Sequence, residues 1–389
     1  MSTRPSTPDP LAGTAAPRDP RLLALLRREI RSNGPIPFAR FMELALHHPN
    51  LGYYAAGPAR VGPAGDFVTA NDAGPAFGRA LARQIVEVDR LLGRPPVFDV
   101  VEFGAGRGLL ARDVLDALAL GAPDVHARTI YTAVDSSQAM REETARRAPE
   151  ARVLRPDEAP ASCAGCVLAV ELFDALPVHR VRRRAGRLVE VFVDVDRSEA
   201  LIEREGEPTP AAAAWAERYG AAREEGYEAE VCPAAAGQLD VLARTLERGV
   251  LLVIDYGDEA GRLYGPRRPR GTLLAYSRHA TNEAFLERVG AQDLTAHVNF
   301  TALEDRAHEL GLDVLGRTTQ DRFLIANGIL EEFAQPTLAE ARDPCRVKAR
   351  LRALQLLHPG AMGRVFHVLA LSKAAPGPPA LAGLADPFA

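Results

Sequence analysis

Two groups of residues in this 389-residue chain have the types and spacing to act on a bound molecule. The first is VVEFGAGRGLL, residues 100–110, where Glu102 precedes Gly104, Ala105, Gly106 and Gly108. Glycines at that density after an apolar run let the backbone pass close to a ligand. A dinucleotide loop has the pattern G-x-G-x-x-G, but position 109 is Leu and the spacing fails. A phosphate-cradling P-loop fails as well, because no Lys-Ser/Thr follows. Charge gives a second test. Glu102 would oppose a pyrophosphate and favour an ammonium or sulfonium group. S-adenosylmethionine carries both, and its carboxylate can use the N–H groups at the start of the following helix. The next apolar run ends at Asp135-Ser136, about 30 residues after the loop begins. An acid at such a strand tip can accept from both hydroxyls of a ribose. The same residues would also suit a plain glycine turn with two capping acids.

The second group is AVELFDALPVHR, residues 169–180, an apolar run ending in Glu171 and Asp174 with His179 nearby. Two carboxylates at a sheet rim can orient a guanidinium through paired hydrogen bonds. Methyl transfer then needs little more than an in-line lone pair at near-attack distance. Glu171 is the candidate for gripping an arginine or amine, and His179 is a candidate base. The plainer alternative makes Asp174 a turn cap and His179 a surface residue. IDYGDEAGRLY repeats the strand-then-acid pattern at Asp255, Tyr256 and Gly257. Cys163-x-x-Cys166 has no second pair, so no metal site is expected.

These residues need elements to hold them. From residue 98 onward, apolar runs alternate with helical patterns: VFDVVEFG, TIYTAVDSS, CVLAVELFDALPV and GVLLVIDYG are strands between helices. That alternation predicts an α/β fold with a doubly wound parallel sheet. RLVEVFVDVD alternates with period two and predicts an antiparallel edge strand, followed by helix to about residue 225. DRFLIANGI reads as a last strand. The organisation expected is a disordered 1–20, an N-terminal helical region with a loop over 21–95, and a core over 96–330 with an insertion at about 185–235. A helical and strand segment over 331–373 and a disordered tail over 374–389 would complete it.

Composition excludes some classes. The net charge of −4 gives no push toward nucleic acid, and RRRAGR at 182–187 reads as a solvated turn. No apolar run reaches the roughly 18 residues of a membrane span, so no membrane insertion is expected. The N-terminus lacks the apolar stretch of a secretory signal, and four cysteines fit a reducing compartment, so the expected location is cytoplasmic. Only Lys348 and Lys373 stand against a large arginine excess, a bias of GC-rich bacterial genomes.

GYY, GDFVTA, VEFGAGRG, ELFDALPVHR, EVCP, LLVIDYG and DLTAHVNF occur in an order that resembles the MidA-like methyltransferases. The resemblance spans roughly residues 25–330. It implies a class I methyltransferase core with extra N-terminal helices, S-adenosyl-L-methionine as donor and a protein arginine as acceptor. It further implies a role in respiratory complex I assembly, with a subunit of a respiratory NADH dehydrogenase as partner. A homodimer is kept open, and the alternative functions are a methyltransferase acting on a small molecule or another protein and a non-catalytic S-adenosylmethionine-binding assembly factor. By matching motifs, Gly65, Asp66, Phe67 and Thr69 would belong to an N-terminal loop closing on the cofactor. Gly104, Gly106, Gly108 and Asp135 would bind that cofactor, and Glu171, Asp174 and His179 would line the acceptor side. The chain departs from the family in reading Ala70-Asn71-Asp72 where relatives continue Thr/Ser-Pro-Glu.

Overall fold

The apolar runs of the sequence become seven strands of one eight-stranded sheet, the short Val298–Asn299 being the eighth: β1 (Phe98–Phe103), β2 (Thr129–Val134), β3 (Arg152–Leu154), β4 (Cys163–Val170), β5 (Leu246–Asp258), β6 (Asp313–Thr319) and β7 (Phe366–Lys373). They are seen in a computed structural model that describes residues 20–57, 60, 62, 65–66, 69–333, 343–376 and 380–388. The spatial order is β3-β2-β1-β4-β5-β7-β6. All strands run parallel except β7, which is antiparallel to both neighbours. The helices used below are α1 (Pro20–Asn33), α2 (Phe38–His47), α3 (Ala76–Leu91), α4 (Leu109–Gly121), α5 (Gln138–Arg147), α6 (Ala234–Thr245), α7 (Phe300–Glu309), α8 (Gln320–Ala326) and α9 (Pro344–Leu357). No helix among the described residues is long and apolar enough to cross a membrane.

Period-two alternation decides which side chain goes where. Val250, Leu252 and Ile254 of β5 pack with α3 and α4 on one face, while Leu251 and Val253 pack with α6 and α7 on the other. A sheet covered on both faces is what parallel strands require. The strand order reverses between β1 and β4, where open sheets of this type bind ligands at their carboxyl ends.

Two expectations change here. RLVEVFVDVD is not an edge of the main sheet; Arg187–Val195 is the central strand of a separate antiparallel sheet. Its neighbours are Ile36–Pro37, His179–Arg184 and Leu201–Gly206, and Glu228–Val231 joins beyond His179–Arg184. Helix in this region is confined to Pro210–Tyr219. The basic RRRAGR stretch forms the hairpin, with Arg182 paired to Glu203, Glu205 and Glu228, and Arg184 paired to Glu205. DRFLIANGI is helix α8 rather than a strand, because the last two strands come from residues 313–319 and 366–373. The tail also departs from expectation over 380–388. Leu381 is buried in the core and Gly383 donates its N–H to Gln84 of α3. Residues 1–19 lie outside the described part.

The centre of the sheet tolerates no extra atom at Gly165. A Cβ there would come within 2.0 Å of the Asp99 carbonyl oxygen, and one at Gly249 would meet the Gly165 carbonyl oxygen equally closely. Gly165→Ala should therefore destabilise the fold by about 2–3 kcal/mol. A urea titration checks this: the midpoint should fall with the slope unchanged.

Candidate active site

β1 delivers the chain to a loop in which Gly104, Gly106 and Gly108 all have positive φ, at 74°, 54° and 69°. Only glycine adopts these angles without strain, which explains the unusual spacing. The Gly104 and Ala105 N–H groups donate to the Val134 carbonyl at 2.8 and 3.3 Å. A Cβ on Gly108 would lie 2.8 Å from Thr144 Cγ2, and the Thr144 hydroxyl donates to the Gly106 carbonyl at 2.9 Å. Helix α5 is thus fastened against the loop. At Gly106 the nearest atom to a built Cβ is 3.9 Å away, so this glycine borders open space. Asp135, at the tip of β2, accepts the Gly106 and Ser137 N–H groups, each at 2.8 Å. A carboxylate has about four lone-pair directions, so two remain for a ligand.

The open space is a cavity of about 1050 Å³. Gly104, Ala105, Gly106, Asp135, Ser136, Thr69, Glu171, Asp174 and His179 all line it, together with Arg40, Glu43 and His47 of α2. Four predicted residues are placed elsewhere. Gly108 serves the packing just described. Glu102 follows the strand's alternation to the other face, where it is buried and accepts the Tyr131 hydroxyl at 2.7 Å. Burial pushes its carboxyl up to about 8. Gly65 donates to the Gly62 carbonyl, and Asp66 accepts the Tyr53 hydroxyl and the Arg278 N–H at 2.9 and 2.8 Å. Those two residues anchor the N-terminal loop rather than face the cavity. Phe67 lies outside the described residues.

That loop reaches the cavity at Thr69, which caps the 3-10 turn Ala70–Ala73 in a reciprocal box with Asp72. The departure at 70–72 acquires a function here. Asp72 accepts the Thr69 N–H at 3.0 Å and pairs with Arg107 of the glycine loop, both side chains largely buried. The Ala70 N–H donates to Glu171 Oε1 at 2.8 Å. One short turn therefore touches both the glycine loop and the second acidic group.

Glu171 follows β4 with φ of 51°, a strained value for a non-glycine residue, and its N–H donates to the Ile254 carbonyl. Asp174 Oδ2 accepts the Tyr256 hydroxyl, while its Oδ1 is buried without a hydrogen-bond partner. Asp293 accepts the Tyr54 hydroxyl at 2.9 Å and also lines the cavity. Burial pushes Glu171 up to about 8 and Asp174 up to about 6. Burial, reinforced by Asp174, pushes Asp293 well up. Among the described residues no arginine or lysine forms an ion pair with any of the three. Asp255 does not line the cavity; it accepts the Phe173, Asp174 and Tyr256 N–H groups and so shapes the turn. Gly257 pairs with Val298, and a Cβ there would strike the Val298 carbonyl.

Burial lowers the pKa of His47, and its Nε2–H donates to the Ala175 carbonyl at 2.9 Å. His179 Nδ1 sits 2.6 Å from Glu190, whose other oxygen accepts the Thr209 N–H. Cys163 and Cys166 are buried in β4 with thiol pKa values pushed up by burial, so both are inert. Sequence reasoning passed over His47, Tyr54, Arg107 and Asp293. Asp293 opens DLTAHVNF and Tyr54 closes GYY, so both stood in quoted motifs without being singled out.

A family model described as "Putative S-adenosyl-L-methionine-dependent methyltransferase" matches residues 80–318. The chain belongs to this family. Among solved structures, a Burkholderia thailandensis protein bound to S-adenosyl-homocysteine is 34% identical. It superposes with a TM-score of 0.84 over 99% of this chain and 98% of that one. The Drosophila melanogaster mitochondrial protein arginine methyltransferase NDUFAF7 homolog is 30% identical over 89% of this chain and 83% of its own length. The human mitochondrial protein arginine methyltransferase NDUFAF7 is 28% identical, covering 90% and 83%. The protein is a class I S-adenosylmethionine-dependent methyltransferase. The cavity fits the cofactor: open space at Gly106, free lone pairs on Asp135 and an N-terminal helix end at α4 suit its open wall, ribose and carboxylate.

Two outcomes follow. Asp135→Asn should weaken S-adenosyl-homocysteine binding about 10- to 100-fold by calorimetry, since a charge-assisted acceptor is lost. The second concerns pH. Folded Glu171 titrates near 8 against an ordinary 4.5, so between those values the folded state binds more protons than the unfolded. Stability of the ligand-free protein should fall as pH rises across that window. Glu171→Gln should show a shallower fall in Tm from pH 5 to 8 than the unsubstituted protein.

Proposed function

We propose that the acceptor is an arginine side chain of a protein. Carrying this reading is the unpartnered, buried Asp174 Oδ1 in the same cavity as Glu171, neither acid being ion-paired to an arginine or lysine among the described residues. An arriving guanidinium supplies the missing charge and presents planar N–H pairs to the carboxylates. Its approach ionises Asp174 and Glu171, reversing the effect of burial. S-adenosylmethionine, when bound, supplies an electrophilic methyl group on a sulfonium. The chain's residues hold the guanidinium so that one terminal nitrogen faces that methyl in line. The new C–N bond forms as the C–S bond breaks, with its electrons kept by sulfur. One N–H proton must then leave the methylated nitrogen, and Glu171, ionised by the guanidinium and lining the same cavity, is placed to take it. The names of the NDUFAF7 relatives support the arginine acceptor. The family resemblance supports a narrower proposal, a subunit of a respiratory NADH dehydrogenase modified in the cytoplasm.

The test uses labelled S-adenosylmethionine and host protein, followed by hydrolysis and amino-acid analysis. Label should appear in methylarginine. Glu171→Gln should lower the rate at least 100-fold while S-adenosyl-homocysteine affinity stays within about threefold. Label in lysine, in a carboxyl ester or in a small molecule would overturn the arginine assignment.

A further inference from the structure

Helix α9 has a face used neither by the cavity nor by the core. Its inner side buries Ala353 and Leu356 and packs on α3, α8 and the Ala70–Ala73 turn. On the other side Val347, Leu351 and Leu354 stand 39%, 59% and 46% exposed. Their i, i+4, i+7 spacing makes one apolar stripe about 10 Å long. At about 100° per residue, Lys348 falls on one flank of the stripe, with Arg352 farther round on the same side. Residues 344–357 contain four cations and no acid, in a chain whose net charge is −4. Among the described residues, neither Lys348 nor Arg352 has an ion-pair partner.

A convex stripe of three aliphatic side chains offers no pocket for the aromatic or arginine anchors that dominate protein interfaces. It does match a bilayer surface. Apolar side chains enter the boundary of headgroups and acyl chains, and the cations beside the stripe meet lipid phosphates. We propose that α9 docks this methyltransferase flat on anionic lipid bilayers, without insertion of a span. Docked so, the Ala70–Ala73 turn, which carries the cavity-lining Asn71, lies about one helix diameter, roughly 10 Å, beneath the bilayer surface. An acceptor held at a membrane would then be presented next to the cavity.

Flotation of the full chain with vesicles tests this. Partition onto phosphatidylcholine vesicles containing phosphatidylglycerol should be at least tenfold stronger at 50 mM than at 500 mM NaCl, and at least tenfold stronger than onto phosphatidylcholine alone. The conditions derive from the roughly 10 Å screening length near 0.1 M salt. Each cation near such a surface is worth about fivefold in partition. Lys348→Glu with Arg352→Glu should therefore lower binding at least tenfold, as should Leu351→Ser with Leu354→Ser. Both variants should keep the unsubstituted Tm and S-adenosyl-homocysteine affinity, which separates lost docking from lost folding. Absence of the protein from floated vesicles at millimolar lipid would overturn the proposal. So would equal flotation by the variants, or a stripe that instead mediates self-association or capture of an acidic protein.

Discussion

Burying a carboxyl without a cation is costly, and this protein does it three times in one place. Glu171, Asp174 and Asp293 line one cavity, and among the described residues no arginine or lysine is ion-paired with any of them. Their elevated proton affinities record that cost. The deficit can be relieved in only two ways, by holding protons or by admitting a cation. A methyl donor with a sulfonium belongs to the second, as does the guanidinium acceptor proposed above. The site is attractive to its ligands because the fold leaves it electrostatically incomplete.

Keeping such groups in place requires support from several elements. Asp255 uses its carboxylate on three backbone N–H groups, fixing the turn that carries Asp174. Tyr256 and Tyr54 each spend a hydroxyl on one acid of the cluster. Glu171 is held in a left-handed conformation by its bond to β5, so its side chain cannot swing along the strand direction. Most of these contacts join residues 80 or more positions apart. They close only once β4 and β5 are paired, so the chemistry depends on the sheet being complete.

Much of this was legible in the residues. The glycine spacing, the acids at strand ends and the alternation of strands with helices are local signals, and the parallel sheet and cofactor loop follow from them. Glu102 was misplaced because spacing says nothing about which face of a strand a side chain takes; its neighbour Phe103 lines the cavity instead. Asp293 and His47 gave no local signal, since their roles arise only when distant segments meet. DRFLIANGI reads as a strand because its short apolar run, Phe323–Ala326, fits either period, and the better strand at 366–373 takes the remaining sheet position. The tail at 380–388 looked disordered by composition, yet a single buried Leu381 and a glycine bonded to Gln84 order it.

The pairing of Asp72 with Arg107 joins two segments 35 residues apart, one from the closing loop and one from the cofactor loop. Asp72 also completes the cap on its own turn, so its length is fixed from two directions at once. A carboxylate one methylene longer would have to surrender one of these partners or push the two loops apart. Positions 72 and 107 therefore act as a unit: lengthening the acid would disturb the glycine loop as well as the turn. The short acid in this chain and its arginine thus hold the closing loop and the cofactor loop at one fixed separation.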